Sequence, residues 1–75
     1  MKSVTTIERT QVASSNIASV GYDKEARILE KEFHHGAVYQ HFDVPEKVYE
    51  ELMSSSAIGS YFINEIKSKF NYQQK

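Results

Sequence analysis

Two hydropathy patterns divide the chain. Between positions 15 and 45 apolar and polar residues alternate in short runs, and beyond 45 apolar residues recur every three or four positions. Period-two alternation marks half-buried strands, and the longer period marks amphipathic helices. The first pattern predicts strands over 17–22, 27–33 and 37–42. Ala18, Val20 and Tyr22 share a face of the first, and Leu29 and Phe33 a face of the second, opposite Ile28, Glu30 and Glu32. In the third, Val38 and Phe42 share one face and Tyr39 and His41 the other. Lys31 is a local conflict, because it falls on the Leu29/Phe33 face. A lysine stem can lie along apolar surface while its ammonium reaches water. Asp23-Lys24-Glu25-Ala26 has the composition of a type I turn, and His34-His35-Gly36 closes a second hairpin in which glycine supplies a positive φ.

Asp43-Val44-Pro45-Glu46 reads as a helix start, with Asp43 and Glu46 spaced as a capping box and Pro45 tolerated in the first turn. That helix runs to about Met53, with Val48 and Leu52 as an i,i+4 apolar pair beside Tyr49. Ser54-Ser55-Ser56 interrupts the pattern and offers an N-cap to a second helix over 57–71. There Ile58, Phe62, Ile66 and Phe70 repeat every four residues, and Ile63 widens the stripe. The expected fold is α+β: a three-stranded antiparallel meander followed by two helices packed on one sheet face. Positions 1–9 read as a flexible tail, with an edge strand around Thr10 to Ala13 as the alternative. Positions 10–72 form a single domain, and 73–75 are expected to fray.

Composition narrows the function. Seventy-five residues make one small domain, and a chain of this size buries only ~60% of its unfolded surface. Most of its five Tyr and four Phe are therefore needed for folding. With no cysteine there is no disulfide, thiolate metal site or thiol nucleophile. No apolar run approaches the ~20 residues of a membrane span, and the first twelve positions lack a signal-like core, so a cytoplasmic protein with no membrane partner is expected. A net charge of −1 is a weak platform for nonspecific nucleic-acid binding.

The ordered set Ser15-Asn16-Ile17, Gly21-Tyr22-Asp23, Leu29, Phe33, Gly36, Val38-Tyr39, Phe42-Asp43-Val44-Pro45, Val48-Tyr49 and Leu52 resembles the KTSC domain family. So does Gly59-Ser60-Tyr61-Phe62-Ile63-Asn64 with Ile66 and Phe70. The resemblance spans about residues 12 to 72. It implies kinship with a small domain found at the C-terminus of some lysyl-tRNA synthetases and as free-standing bacterial and phage proteins. The family has no established activity, and the fusion implies an association with RNA. Two positions depart from the family pattern: its Tyr-x-Tyr motif reads Tyr39-Gln40-His41 here, and Lys31 stands where an apolar residue is usual.

Several constellations are candidates for chemistry. Tyr39 and His41, on one strand face, have the makings of a base-stacking platform, or else pack beneath a helix or the N-terminal segment. Lys67, Lys69 and Lys75, joined by Arg27 and Lys31 if near in space, would form a modest basic patch. Ser56 and Gly59 at the second helix start offer free N–H groups to a phosphate, but no glycine-rich loop accompanies them. His34 and His35 are adjacent and, in a strand, point apart, so with His41 they make a poor metal set. Capping accounts for Asp43 and Glu46, and Ser14, Ser15 and Ser19 precede no recognisable base. The expectation is a non-catalytic binding module without metal or cofactor, a monomer or weak homodimer. RNA is the first-choice ligand through Tyr39, His41, Arg27, Lys67 and Lys69. The alternative is a protein partner met through an exposed sheet face or edge strand.

Overall fold

The computed structural model describes residues 7–75. The elements in chain order are β1 (Arg9–Gln11), β2 (Ile17–Asp23), β3 (Ile28–Phe33), β4 (Val38–His41), α1 (Glu46–Ser54), α2 (Ile58–Glu65) and β5 (Tyr72–Gln74). The fold is α+β, but the sheet has five strands rather than three, in the order β1-β2-β3-β4-β5, with every neighbouring pair antiparallel. The meander gains one short strand at each edge. Of the stretch expected to be a free tail, positions 1–6 lie outside the described residues, while Ile7 is buried and Arg9 opens β1. At the other end Tyr72–Gln74, which reaches into the stretch 73–75 expected to fray, pairs with β4.

The Asp23 turn forms as its composition predicts. Asp23 Oδ1 accepts from the Glu25 and Ala26 amides at 3.0 and 3.1 Å, and Arg27 leaves the turn with φ 59°. Gly36 has φ 101° in the second hairpin. A bulge at Ala18 shifts the β2–β3 register, so that Ile17 faces Phe33 and Ser19 faces Glu32. The extra residue turns Ile17, rather than Ala18, toward the core beside Val20.

The helix starts correct the capping box. Asp43 sits at φ 58°, Pro45 is the cap residue of α1, and no side-chain cap bond forms. The α2 cap residue is Ala57, also without a side-chain cap bond; Ser55 Oγ instead accepts from the Ala57 amide at 3.0 Å. The second helix ends at Glu65, six residues short of the expected end at 71. The amides of Ile66 and Lys67 both reach the Phe62 carbonyl at 3.0 Å, which closes the last turn. The chain then swings back to the open edge of β4, where Phe42 donates to the Asn71 carbonyl at 2.9 Å and Lys75 to that of Val38 at 2.7 Å. Strand pairing along an unfilled sheet edge overrides a helical pattern that propensity alone would have extended.

Both helices lie over one sheet face. Ile17, Val20, Leu29, Val44, Leu52, Phe62 and Ile66 make the core cluster. Ile63 does not widen the buried stripe; it is 55% exposed. Tyr22 stacks on Tyr49 of α1 at 5.1 Å, and its hydroxyl donates to the Val44 carbonyl, which fixes the entry to α1.

The opposite face is polar but not bare. Glu30, at the centre of β3, is fully buried there. Its carboxylate accepts from Arg9 of β1, from Gln40 Nε2 of β4 at 2.9 Å, and from Lys75 Nζ, just past β5, at 3.5 Å. Ser19 donates to Glu32 at 2.9 Å and accepts from Arg9 Nε at 3.1 Å. Gly21 lets the chain ahead of β1 lie close: a Cβ there would collide with the Glu8 carbonyl oxygen. Burial alone would raise the Glu30 pKa, but the hydrogen bonds of Gln40 and Arg9 and the Lys75 charge outweigh it and hold the carboxyl below its usual 4.5. A carboxylate with a lowered folded pKa adds stability above its unfolded pKa and loses it as pH falls through the folded value. Glu30→Gln should therefore lower unfolding free energy by about 1–3 kcal/mol at pH 7. Urea titrations from pH 7 down to 3 should show that difference shrinking below about pH 4.5.

Candidate functional site

Strand register gathers the aromatic and basic residues on the helix-covered face. Lys31 pairs with Tyr39 and Leu29 with His41 across β3 and β4, and His41 pairs with Tyr72 across β4 and β5. Residues opposite one another in a ladder share a face, so these side chains line up beside the end of α2. They border a groove of about 290 Å³, whose lining is Lys31, Phe33, Tyr39, His41, Lys67 and Tyr72. A smaller hollow of about 120 Å³ adjoins it on the α2 side, and Lys31, Phe33 and Lys67 border both.

Lys31 is the unusual member. The residue is only 5% exposed, and its ammonium lies among aromatic rings at the border of the groove. Its Nζ lies 3.4 Å from the ring centroid of Phe62, 4.2 Å from that of Phe33 and 5.7 Å from that of Tyr39. Ring faces partly compensate a desolvated cation. Among the described residues no carboxylate pairs with it. Burial first, and the neighbouring Lys67 charge second, push its pKa down to about 8.

His41 is 2% exposed and packs edge-on against Phe62 at 5.0 Å and stacked on Tyr72 at 5.2 Å. Among the described residues its Nδ1 has no hydrogen-bond partner. Burial, reinforced by the Lys31 charge, pushes its pKa down to about 4, so the ring is neutral at physiological pH. Tyr39 is half-buried and meets Phe33 edge-on at 5.6 Å and Tyr72 at 5.9 Å. Tyr72 is 53% exposed and presents the open wall of the groove.

Of the five expected site residues, Tyr39, His41 and Lys67 meet here. Arg27 does not: it lies in the β2–β3 turn, and its carbonyl accepts from Val44 just ahead of α1. Lys69 is engaged by Glu65 at 3.1 Å and is absent from the groove lining. Lys31, Phe33 and Tyr72 take their place. Lys31 had announced itself as a charge on an apolar face, whereas Tyr72 carried no sequence signal because its strand was read as helix end and fray. Among the described residues no group of three or more metal-ligating side chains forms. His34 contacts the Ser14 carbonyl at 2.8 Å, His35 stacks on Phe33, and His41 faces the groove. No described helix is long and apolar enough to cross a membrane. Ser14 and Gly59 border a third hollow at the α2 start.

A small α+β domain with a five-stranded antiparallel meander and two helices on one face is the class these observations define. The model of the KTSC domain matches residues 13–70, and the chain belongs to that family. The crystal structure of a KTSC domain protein from Yersinia pestis superposes with a TM-score of 0.87 at 38% identity, covering 93% of this chain and 99% of that one. An uncharacterised protein of Stutzerimonas stutzeri is 39% identical over 56 residues, 75% of this chain and 79% of its own length. A lysine–tRNA ligase of Trichormus variabilis is 42% identical over 60 residues, 80% of this chain but 11% of the ligase. The domain therefore corresponds to a small part of such ligases.

Lys31 and His41 make stability depend on pH in a definite sense. Each has a folded pKa below its unfolded one, so the unfolded chain binds the extra proton between the two values and stability rises with pH across that interval. The intervals are about 4 to 6.5 for His41 and about 8 to 10.5 for Lys31. Lys31→Met should therefore raise the unfolding free energy at pH 7 by roughly 1–3 kcal/mol and flatten the gain seen between pH 8 and 10. Guanidinium titrations at those pH values, with the His41 ring followed by NMR, measure both effects.

Proposed function

We propose that the domain is a non-catalytic binding module whose groove holds single-stranded RNA. One unpaired base lies against Tyr72 and Tyr39, and the two phosphates flanking it sit on Lys67 and Lys31. The observation that carries this reading is the meeting of two lysines with two tyrosine rings in one open groove, neither lysine paired to a carboxylate among the described residues. Aromatic rings next to uncompensated positive charge suit a nucleotide. The groove is at the lower limit of ligand sites, which run from ~300 to 1,000 Å³, so it accommodates one base rather than a duplex. The family's occurrence within proteins named lysine–tRNA ligase adds support. Only single strands expose a base face to stack.

Affinity should be modest. A stacked base contributes ~1–3 kcal/mol, and neutralising two phosphates of a single strand gives a log–log salt slope near −1.4. Fluorescence anisotropy with labelled single-stranded RNA of six to ten nucleotides should give a Kd of tens of micromolar at low salt. Tyr72→Ala should weaken it at least fivefold, and Lys67→Gln should flatten the salt slope by about 0.7. Absence of salt-sensitive binding would overturn the RNA reading. Concentration-dependent light scattering in the same samples would then favour pairing through β1 or β5 instead.

A further inference from the structure

Lys31 lines both the groove and the smaller hollow beside it, and Lys67 borders both. Two lysines meet carboxylates: Lys69 faces Glu65, and Lys75 faces Glu30. Lys31 faces Lys67 and three aromatic rings instead. A lysine desolvated in an apolar pocket next to a second cation is the arrangement that activates an amine as a nucleophile, because both effects favour its uncharged form.

We propose that the Lys31 ε-amine is a covalent capture site for small anionic aryl aldehydes, which it binds as an imine while Lys67 holds the ligand's anionic group. In the step, the amine lone pair attacks the carbonyl carbon and a C–N bond forms. The carbonyl oxygen takes up protons and leaves as water, and the nitrogen gives up its two hydrogens overall. No electrons are gained or lost. The aldehyde ring lies against Tyr39 and Tyr72, as a base would. Conversion of an ammonium to a neutral imine removes the repulsion between Lys31 and Lys67, and burial slows the water attack that reverses it. The groups facing the amine are Lys67 after α2, His41 and Tyr39 of β4, and Tyr72 of β5. A neutral His41 adds no further positive charge beside the reacting nitrogen. The capture is stoichiometric and stands apart from RNA binding, since it is read with no RNA present.

The probe is pyridoxal 5′-phosphate, added to the full chain, trapped with borohydride and located by peptide mass mapping. Lys31 should label on the order of tenfold faster than any other lysine, with one label per chain, and its rate should climb through pH 7 and level above about 8. Lys31→Arg should abolish the dominant label. Lys67→Gln should slow capture of salicylaldehyde, which lacks the phosphate, through loss of the second cation, and should slow capture of pyridoxal 5′-phosphate by a larger factor through loss of the anion contact as well. Label spread evenly over Lys24, Lys47, Lys69 and Lys75, or found on them ahead of Lys31, would overturn the proposal. Because the mapping uses the unaltered chain, its outcome does not depend on whether a variant folds.

Discussion

The sheet depends on a carboxylate with no exposure to water. Edge strands of three residues contribute too few ladder hydrogen bonds to hold themselves against fraying. β1 and β5 are both of this length, and they flank opposite sides of the meander. Glu30 reaches both: Arg9 comes from one edge and Lys75 from beyond the other, with Gln40 adding a third donor from β4. A buried charge is tolerated only when its partners replace the lost hydration. These three donors do so, and they also set where the strands must lie. The polar face is thereby a clasp rather than an idle solvent surface.

The adjacent residue on the same strand behaves in the opposite way. Alternation sends Glu30 and Lys31 to different faces. One finds three donors; the other finds no acceptor among the described residues and has only ring faces near its nitrogen. His41, across the ladder from Leu29, repeats the theme with an unpaired Nδ1. Polar groups left short of partners inside a domain this small cost stability that packing elsewhere must supply. Their concentration around one groove, with the carboxylate on the other face fully engaged, is what the proposed ligand site rests on.

Much of this was legible in the sequence, and the failures have physical causes. Period-two runs located β2, β3 and β4, and the Asp23 and Gly36 turns closed where turn chemistry placed them. Asp43 looked like a cap, yet its positive φ points the chain elsewhere and leaves Pro45 to begin α1. The four-residue repeat through Phe70 read as unbroken helix because Ile66 and Phe70 do contact the core, but they do so from beyond the helix end. Strands as short as β1 and β5 show no periodicity of their own; the partner edge decides them, and that edge is invisible until the sheet exists. With β5 unseen, Tyr72 was missed, and Lys69 and Arg27 were credited from charge alone. Lys31 is the exception, because the conflict between its type and its face marks it in the sequence itself.

Tyr72 stands on the strand that the Glu30 contact with Lys75 helps to secure, so one wall of the groove belongs to a segment that joins the sheet last in sequence and by few bonds. Any occupant that prefers the assembled wall must tighten that segment by the same free energy that the segment lends to the occupant, because linkage between two equilibria is reciprocal. The acidic residue on one side of the sheet is in this way an energetic lever on what happens on the other.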